Sequence, residues 1–458
     1  MRRMIVTAAV FCGLLAGCYS YKPPPEIVED DNYTTKTRVE HRGLPPELTE
    51  LSLEDAINVA LANNPNYVAT RHSIAAAYAR FYQSFSNFIP SVSGNFGAQQ
   101  GQTYMPQSTS DTKWAITNST NIGLSGSWNV FNGLQDTMNM LAARSAAKQS
   151  ESLNRDARRA LIRLVIASYN QVLLGRENIR IAELDEMFQQ TQVDETQIKY
   201  DHGEAPLRDL LDFKIQMENA SYSLIGLRMS YNLYLYVLAE LMGLTVGTIP
   251  QTVTFPKMTE NGSMDYSLEV EFYLDMAISQ RPDLQALRQA LDASKYSLYA
   301  SWGSFLPTAN LNMSGGRSDT WPVGQAHTWG ANYGYGMGVN WLLFDGGSRW
   351  MQVRQAQANV AISQEQLAGR WIAVVKEVRE AHAKLEANIA EAKILVGIVE
   401  TTKQQRDLVK KAYDAGEELV IRLNQAQNQL ISAQLRYALA LIDVQNSRAE
   451  LDAACGIR

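Results

Sequence analysis

The chain has 458 residues, 46% of them hydrophobic and 9% aromatic, enough to bury a sizeable core. A net charge of −6 without a run of basic residues argues against nucleic acid as a partner. The three cysteines, Cys12, Cys18 and Cys455, form no convincing pair, so the fold is expected to hold without disulfides.

Residues 1–17 read as a lipoprotein signal peptide. Arg2 and Arg3 precede an apolar stretch, Ile5 to Ala16, that is too short for a stable transmembrane helix. The segment ends Leu15-Ala16-Gly17-Cys18, which resembles a bacterial lipobox, so Cys18 is expected to become a lipid-modified N-terminus. Tyr19 rather than Asp follows it, which fits sorting to the outer membrane. Residues 18–50 are rich in Pro and charge and read as an extended strap.

A first helix is expected from Ser52 to Phe88, with Ser52 and Asp55 spaced as a capping box and Pro90 ending it. Two alternating strands follow. The first sets Val92, Gly94, Phe96 and Ala98 against Ser91, Ser93 and Asn95. The second sets Ile122, Leu124, Trp128 and Val130 against Asn121, Ser125, Ser127 and Asn129. A long helix from Gly133 to Tyr200 and a return helix from Leu207 to Met242 complete the first unit. Residues 244–266 carry Gly, Pro and Thr and form a connector.

The second unit repeats this order: a helix from about Leu268 to Leu306, two strands, a long helix from Gly346 to Tyr413, and a return from Leu419 to Ala454. Its third strand sets Ala309, Leu311 and Met313 against Asn310, Asn312 and Ser314. Its fourth sets Tyr333, Tyr335, Met337, Val339 and Trp341 against glycines and Asn340.

The duplication is explicit. Phe88-Ile-Pro and Asn64-Pro65 recur 217 residues later as Phe305-Leu-Pro and Arg281-Pro282. Phe131-Asn132-Gly133, Tyr200-Asp-His-Gly203 and Met242-Gly243 recur 213 residues later as Phe344-Asp345-Gly346, Tyr413-Asp-Ala-Gly416 and Cys455-Gly456. Domain boundaries of 51–243 and 267–456 follow.

Apolar residues step by 4 and 3 along the helices. Leu367, Trp371, Val374, Val378, Ala381 and Leu385 do so on one helix; Leu419, Leu423, Ala426, Leu430, Ala433, Tyr437, Ala440 and Val444 on its partner. Leu210, Phe213, Met217, Ala220, Leu224, Leu227, Tyr231, Tyr234 and Leu238 do so in the first unit. Such spacing means coiled-coil packing.

These elements imply a mainly α fold with membrane β-strands. Four strands of period 2, flanked by Trp114, Trp128, Phe131, Trp321, Trp329 and Trp341, read as barrel strands with an aromatic belt. Four are too few to close a barrel, and an open edge in lipid leaves backbone groups unpaired, so two, three or four copies must pool their strands. Tyr333, Tyr335, Met337, Val339 and Trp341 then face lipid, while Gly334, Gly336, Gly338 and Asn340 line a lumen.

The lipobox, the paired repeats, the Phe-Leu-Pro turn into a strand, the Phe-Asp-Gly turn out of one and Tyr-x-x-Gly at the helix tip together resemble the TolC-type outer-membrane efflux protein family, in its lipoprotein branch. The resemblance implies a homotrimer with a twelve-stranded β-barrel and a long periplasmic coiled-coil α-helical barrel. It further implies docking to a periplasmic adaptor protein and an inner-membrane transporter. In that family a paired acid after the tip turn lines the periplasmic entrance in the second repeat. Here Asp209 and Asp212 stand in the first repeat, and Arg422 and Gln425 occupy the matching second-repeat positions. The gate candidates are therefore Asp209, Asp212 and Arg422, with an Asp209 or Asp212 contact to Arg422 expected to hold the closed tip. Gly203 and Gly416 are expected to permit the tip turns and to lie where the adaptor docks, and Asn132 with Gly133 and Asp345 with Gly346 to cap the strand-to-helix bends.

Catalysis finds no motif: HExxH and CxxC are absent, and the five histidines are scattered. Gly334-Tyr-Gly-Met-Gly338 lies in a strand and is no phosphate loop, and methionines such as Met138 and Met140 read as packing residues. No metal and no cofactor beyond the lipid on Cys18 are expected. The expected function is a passive efflux duct. A type I protein secretion duct and a non-conducting coiled-coil lipoprotein are the alternatives.

Overall fold

A computed structural model of the chain describes residues 43–44, 48–107, 111–250, 252–256, 269–322 and 327–457. The signal peptide, Cys18, most of the strap and part of the connector lie outside these residues. Helices α1 (Leu53–Asn63) and α2 (Pro65–Gln83) are followed by strands β1 (Ser91–Gln107) and β2 (Asp111–Asn132), then by α3 (Gln135–Asp201) and α4 (Leu207–Leu241). The second repeat supplies α5 (Val270–Gln280), α6 (Pro282–Gly303), β3 (Thr308–Pro322), β4 (Thr328–Asn340), α7 (Ser348–Asp414) and α8 (Val420–Cys455).

The expected opening helix of each repeat is two helices. Asn64 and Arg281 have extended backbones, ψ 118° and 123°, because each precedes a proline, which excludes the α region at that position. The proline then opens the next helix at its first turn, where a missing N–H costs nothing. Ser52 caps α1, its Oγ accepting from Asp55 N at 3.1 Å and donating to Asp55 Oδ2 at 2.6 Å.

The break positions the rest. Asn64 donates from Nδ2 to the carbonyl of Leu241 at 2.9 Å, and Arg281 donates from Nη1 to that of Ala454 at 3.0 Å. These are repeat-equivalent bonds: each satisfies an orphan carbonyl at the end of a return helix. The Asn-Pro and Arg-Pro marks of the repeat thus meet the Met-Gly and Cys-Gly marks. Gly243 and Gly456, both with positive φ, end those helices against the backbone of Asn63 and Arg281. Arg281 is buried and also pairs with Asp283 at 2.7 Å and Glu377 at 2.8 Å; Arg370 shares Asp283 at 2.7 Å.

The main core joins Leu51, Ala56 and Ala60 to Val165, Tyr169 and Val172 of α3, Leu238 of α4, Ile249 and Phe255 of the connector, and Ala438 and Ile442 of α8. A second core holds Tyr273, Leu284, Val374, Val378, Ala381, Leu385 and Leu451. α3 and α7 are each 67 residues long, about 100 Å at about 1.5 Å per residue. Along the expected seams Leu210, Phe213, Ala220, Leu224, Leu423, Ala426, Leu430 and Val378 are buried. Trp371 and Leu419 are not: both are exposed.

The four strands form one antiparallel sheet in the order β1-β2-β3-β4. They run to 17, 22, 15 and 13 residues. Among the described residues no helix is long and apolar enough to cross a membrane.

Candidate functional site

Three regions carry the chemistry: the sheet, the helical tips, and the seam between the two long hairpins.

The register sorts the sheet into two faces. Val92, Phe96, Ile122, Leu124, Trp128, Leu311, Met313, Tyr335, Met337 and Val339 share one, as Phe96↔Ile122, Trp128↔Leu311, Leu311↔Met337 and Met313↔Tyr335 are direct partners. Ser93, Ser125, Ser314 and Gly334 share the other. Every residue of β4 is exposed, Tyr335 to 85%. Both faces are therefore open in the isolated chain, and β1 and β4 are unpaired edges.

A register shift between Asn129 and Phe131 changes one assignment. Val130 is the extra residue, and Phe131 rather than Val130 continues the apolar face opposite Ala309. Trp341 lies one residue beyond β4, and its indole N–H donates to the carbonyl of Phe305 at 3.0 Å. Trp128 makes the repeat-equivalent bond to Phe88 at 3.0 Å. Each indole ties a strand end to the turn that opens its repeat's strand pair, a role the belt reading did not anticipate.

At the bends Gly133 has φ 55° and Leu134 φ 63°, and α3 starts at Gln135; α7 starts at Ser348, after Gly346 and Gly347 at φ 70° and 90°. Asp345 accepts from the backbone N–H of Gly347 at 3.1 Å and of Arg349 at 2.9 Å. Asn132 differs. Its amide donates to Asp136 at 3.2 Å and accepts from the Gln135 side chain at 3.4 Å, so it makes side-chain contacts rather than a backbone cap. Gly133 packs on Gly303, and a Cβ on either would overlap the other's carbonyl oxygen.

The two tips are built alike. Gly203 (φ 76°) and Gly416 (φ 78°) reverse the chain, with Glu204 N donating to Lys199 O at 2.8 Å and Glu417 N to Ala412 O at 2.9 Å. Behind them Leu210 and Phe213 of α4 pack on Val193, Val420 and Leu423. The Phe213 and Tyr413 rings meet edge to face at 5.8 Å, and Lys199 Nζ sits 5.4 Å over the Tyr413 ring. Burial pushes the Tyr413 hydroxyl up, and the charge of Asp209 adds to it. The Asp209 carboxylate takes Arg208 at 3.1 Å, and Asp209 and Asp212 are both half-buried. Arg422 is exposed, and among the described residues no ion pair joins it to Asp209 or Asp212 within one chain; Asp209 pairs with the adjacent Arg208.

Above the tip α3 and α8 meet across a polar seam that the pattern of apolar residues hid. Gln189, Gln192, Thr196, Asn424 and Gln427 are all buried there. Gln427 donates to Asp185 at 2.7 Å. Burial raises the Asp185 carboxyl, against the opposing effect of hydrogen bonds from Gln427 and Gln189. The amide oxygens of Gln189, Gln192, Asn424 and Gln427 have no protein donor among the described residues. The repeat counterparts of Asp185, Gln189, Asn424 and Gln427 are Ile398, Thr402, Leu211 and Lys214, so the polarity belongs to this seam and not to the scaffold. Coiled-coil cores containing unsatisfied amides are weak and register-specific.

Among the described residues no group of three or more His, Cys, Asp or Glu side chains is placed to hold a metal ion. The arrangement offers an apolar and a polar sheet face and two long helical hairpins.

A family model described as outer membrane efflux protein matches residues 56–244 and 273–457. The chain is 23% identical over 405 residues to the outer membrane efflux protein BepC of Brucella suis, covering 86% of this chain and 82% of that protein. It is 22% identical over 317 residues to the alkaline protease secretion protein AprF of Pseudomonas aeruginosa, covering 68% and 64%. The crystal structure of the Campylobacter jejuni CmeC outer membrane channel superposes with a TM-score of 0.74 at 18% identity, covering 95% of this chain and 94% of that one, which shows a shared fold.

Proposed function

The chain belongs to the outer membrane efflux protein family, a family of channels and not of enzymes, and from that premise we propose that it is the passive exit duct of a tripartite efflux pump, assembled as a lipid-anchored homotrimer. One observation carries the assembly. Between the repeats, Ile181 of α3 and Ala438 and Ile442 of α8 are 2%, 2% and 0% exposed, joined in one core. Their repeat counterparts, Ile394 of α7 and Ile225 and Met229 of α4, are 65%, 69% and 61% exposed. The same seam is thus closed once within the chain and left open once. A second copy that repeats the α3–α8 contact as α7 against α4 closes it.

Ring closure by three copies pairs edge β4 of each protomer with β1 of the next, which gives twelve strands and leaves no edge in lipid. The apolar face then meets lipid and the Ser, Asn and Gly face lines the lumen. Asp209 and Asp212 form two rings of three carboxylates at the periplasmic entrance, where a constriction attracts cations. Arg422, unpaired with either aspartate in its own chain, pairs in the trimer with a neighbour's Asp209 or Asp212 to hold the tip closed. The tips around Gly203 and Gly416 dock the adaptor, and the polar α3–α8 seam lets the hairpins part at modest cost, since its amides regain water. Cys18 and its lipid favour efflux over secretion. The likeness to AprF favours the second reading, a protein secretion duct.

Planar-bilayer recording of the detergent-purified full chain tests the duct. Stable conductance is expected, with Arg422→Ala changing both its size and its salt response. A protein that never conducts is a spacer and ends the proposal. Crosslinking in cells to an adaptor whose transporter handles small molecules supports efflux, and to a transporter that exports a protein supports secretion.

A further inference from the structure

Two adjoining cavities, of about 670 and 400 Å³, lie where α3 meets α6 beside the ends of α1, α5 and α8. They share Arg155 and Gln285. Around them stand Lys148, Arg158, Arg159 and Arg288, against two acids, Glu54 and Glu151. Glu151 is taken by the Tyr78 hydroxyl. Arg159 is held by Asp156 at 2.6 Å and by the carbonyl of Ala453. Arg155 spends one N–H on Ser152 at 3.1 Å. Lys148, Arg158 and Arg288 are exposed and carry no ion pair among the described residues.

The scaffold does not require these charges. The second-repeat counterparts of Lys148, Arg155, Arg158 and Arg159 are Ala361, Ala368, Trp371 and Ile372. Two copies of one fold have diverged at four positions within a dozen residues, one to cations and the other to apolar groups. Only Arg288 has a like counterpart, Arg71. A mostly one-signed cavity in which Arg158 and Arg288 carry no ion pair favours ligands bearing oxyanions, which arginine binds by paired hydrogen bonds.

We propose that this groove is a binding site for an oxyanion-bearing ligand, phosphate or carboxylate, with Arg155, Arg158 and Arg288 as the recognising groups and Lys148 as an auxiliary charge. The site is tested by isothermal titration of the full-length detergent-solubilised protein with pyrophosphate and, separately, with citrate. Saturable binding of one ligand per chain is expected at about 50 mM salt, weakened several-fold at about 300 mM. The stronger of the two probes assigns the phosphate or carboxylate class. Arg158→Gln combined with Arg288→Gln is expected to weaken binding at least tenfold with the thermal midpoint unchanged. If that pair lowers folding yield, Arg158→Gln alone carries the comparison, with Arg158→Lys expected to retain part of the affinity. Absence of saturable binding by either probe, or equal affinity in wild type and variants, overturns the assignment.

Discussion

Replacing Ile225 by Asp is expected to dissolve the assembly while leaving each chain folded. Ile225 projects from α4 at 69% exposure, one turn from Met229, and touches no core of its own chain. Its repeat counterpart, Ala438, is 2% exposed. If a second copy covers Ile225 as α3 covers Ala438, burial of the side chain contributes about 2–3 kcal/mol at about 25 cal/mol per Å². A carboxylate in the same place forgoes that and adds an unpaired buried charge costing several kcal/mol more. A closed trimer has three such contacts, so the total penalty is on the order of 15 kcal/mol, comparable with the whole stability of an ordinary domain. Light scattering or native mass spectrometry of detergent-purified protein reads the outcome directly. Wild type should run as trimers and Ile225→Asp as monomers without conductance. Ser223→Asp, an exposed position on the same helix but off the stripe, should stay trimeric. An Ile225→Asp protein that remains trimeric with an unchanged thermal midpoint would refute the repeat-based placement of the interface.

Other outcomes follow from single contacts. Trp341→Phe keeps the ring but removes the N–H that reaches Phe305, and a loss of about 1 kcal/mol per chain is expected as a lower thermal midpoint; an unmoved midpoint would show the bond is replaced by water. Gly133→Ala forces a positive φ and overlaps the Gly303 carbonyl, whereas Gly346→Ala forces only the φ and meets open space. The first should cost about 2–4 kcal/mol and the second about 1, read by chemical denaturation of the detergent-solubilised chain, and equal costs would deny the Gly133–Gly303 contact. Asp185 is held above its ordinary value of 3.8 by burial, so the folded chain binds its proton more tightly than the unfolded one. Stability is then lost as pH rises from about 3.8 through the raised value. Asp185→Asn should abolish that component, and parallel midpoint-versus-pH curves for the two proteins would exclude it.

The duplication, the four alternating strands, the tip glycines and the length of the helices were legible in the sequence, because each is a local periodic or conformational demand. A period of 2 sorts strand faces, a period near 3.5 marks seams, and a glycine signals positive φ wherever it stands. The marks of the repeat were legible as well, but not what they do. Only the tertiary structure brings Asn64 to Leu241, Arg281 to Ala454, and both indoles to their Phe carbonyls, since those partners lie far apart along the chain.

Other features were decided by the fold against the local pattern. Pro65 and Pro282 split each opening helix where one continuous helix was expected. One extra residue, Val130, turned Phe131 to the apolar face. Within one chain Asp209 pairs with Arg208, its neighbour in sequence, rather than with Arg422. The polar seam and the basic groove had no sequence signature. Gln189, Gln192, Asn424 and Gln427 look like solvated positions until α3 and α8 close on them, and Lys148, Arg155, Arg158 and Arg159 are interleaved with neutral and acidic residues until the helix turn gathers them. Sequence alone fixes which face each element presents. Which faces meet, and which are left open for another copy, depends on contacts between residues hundreds of positions apart, and those exist only once the chain has folded.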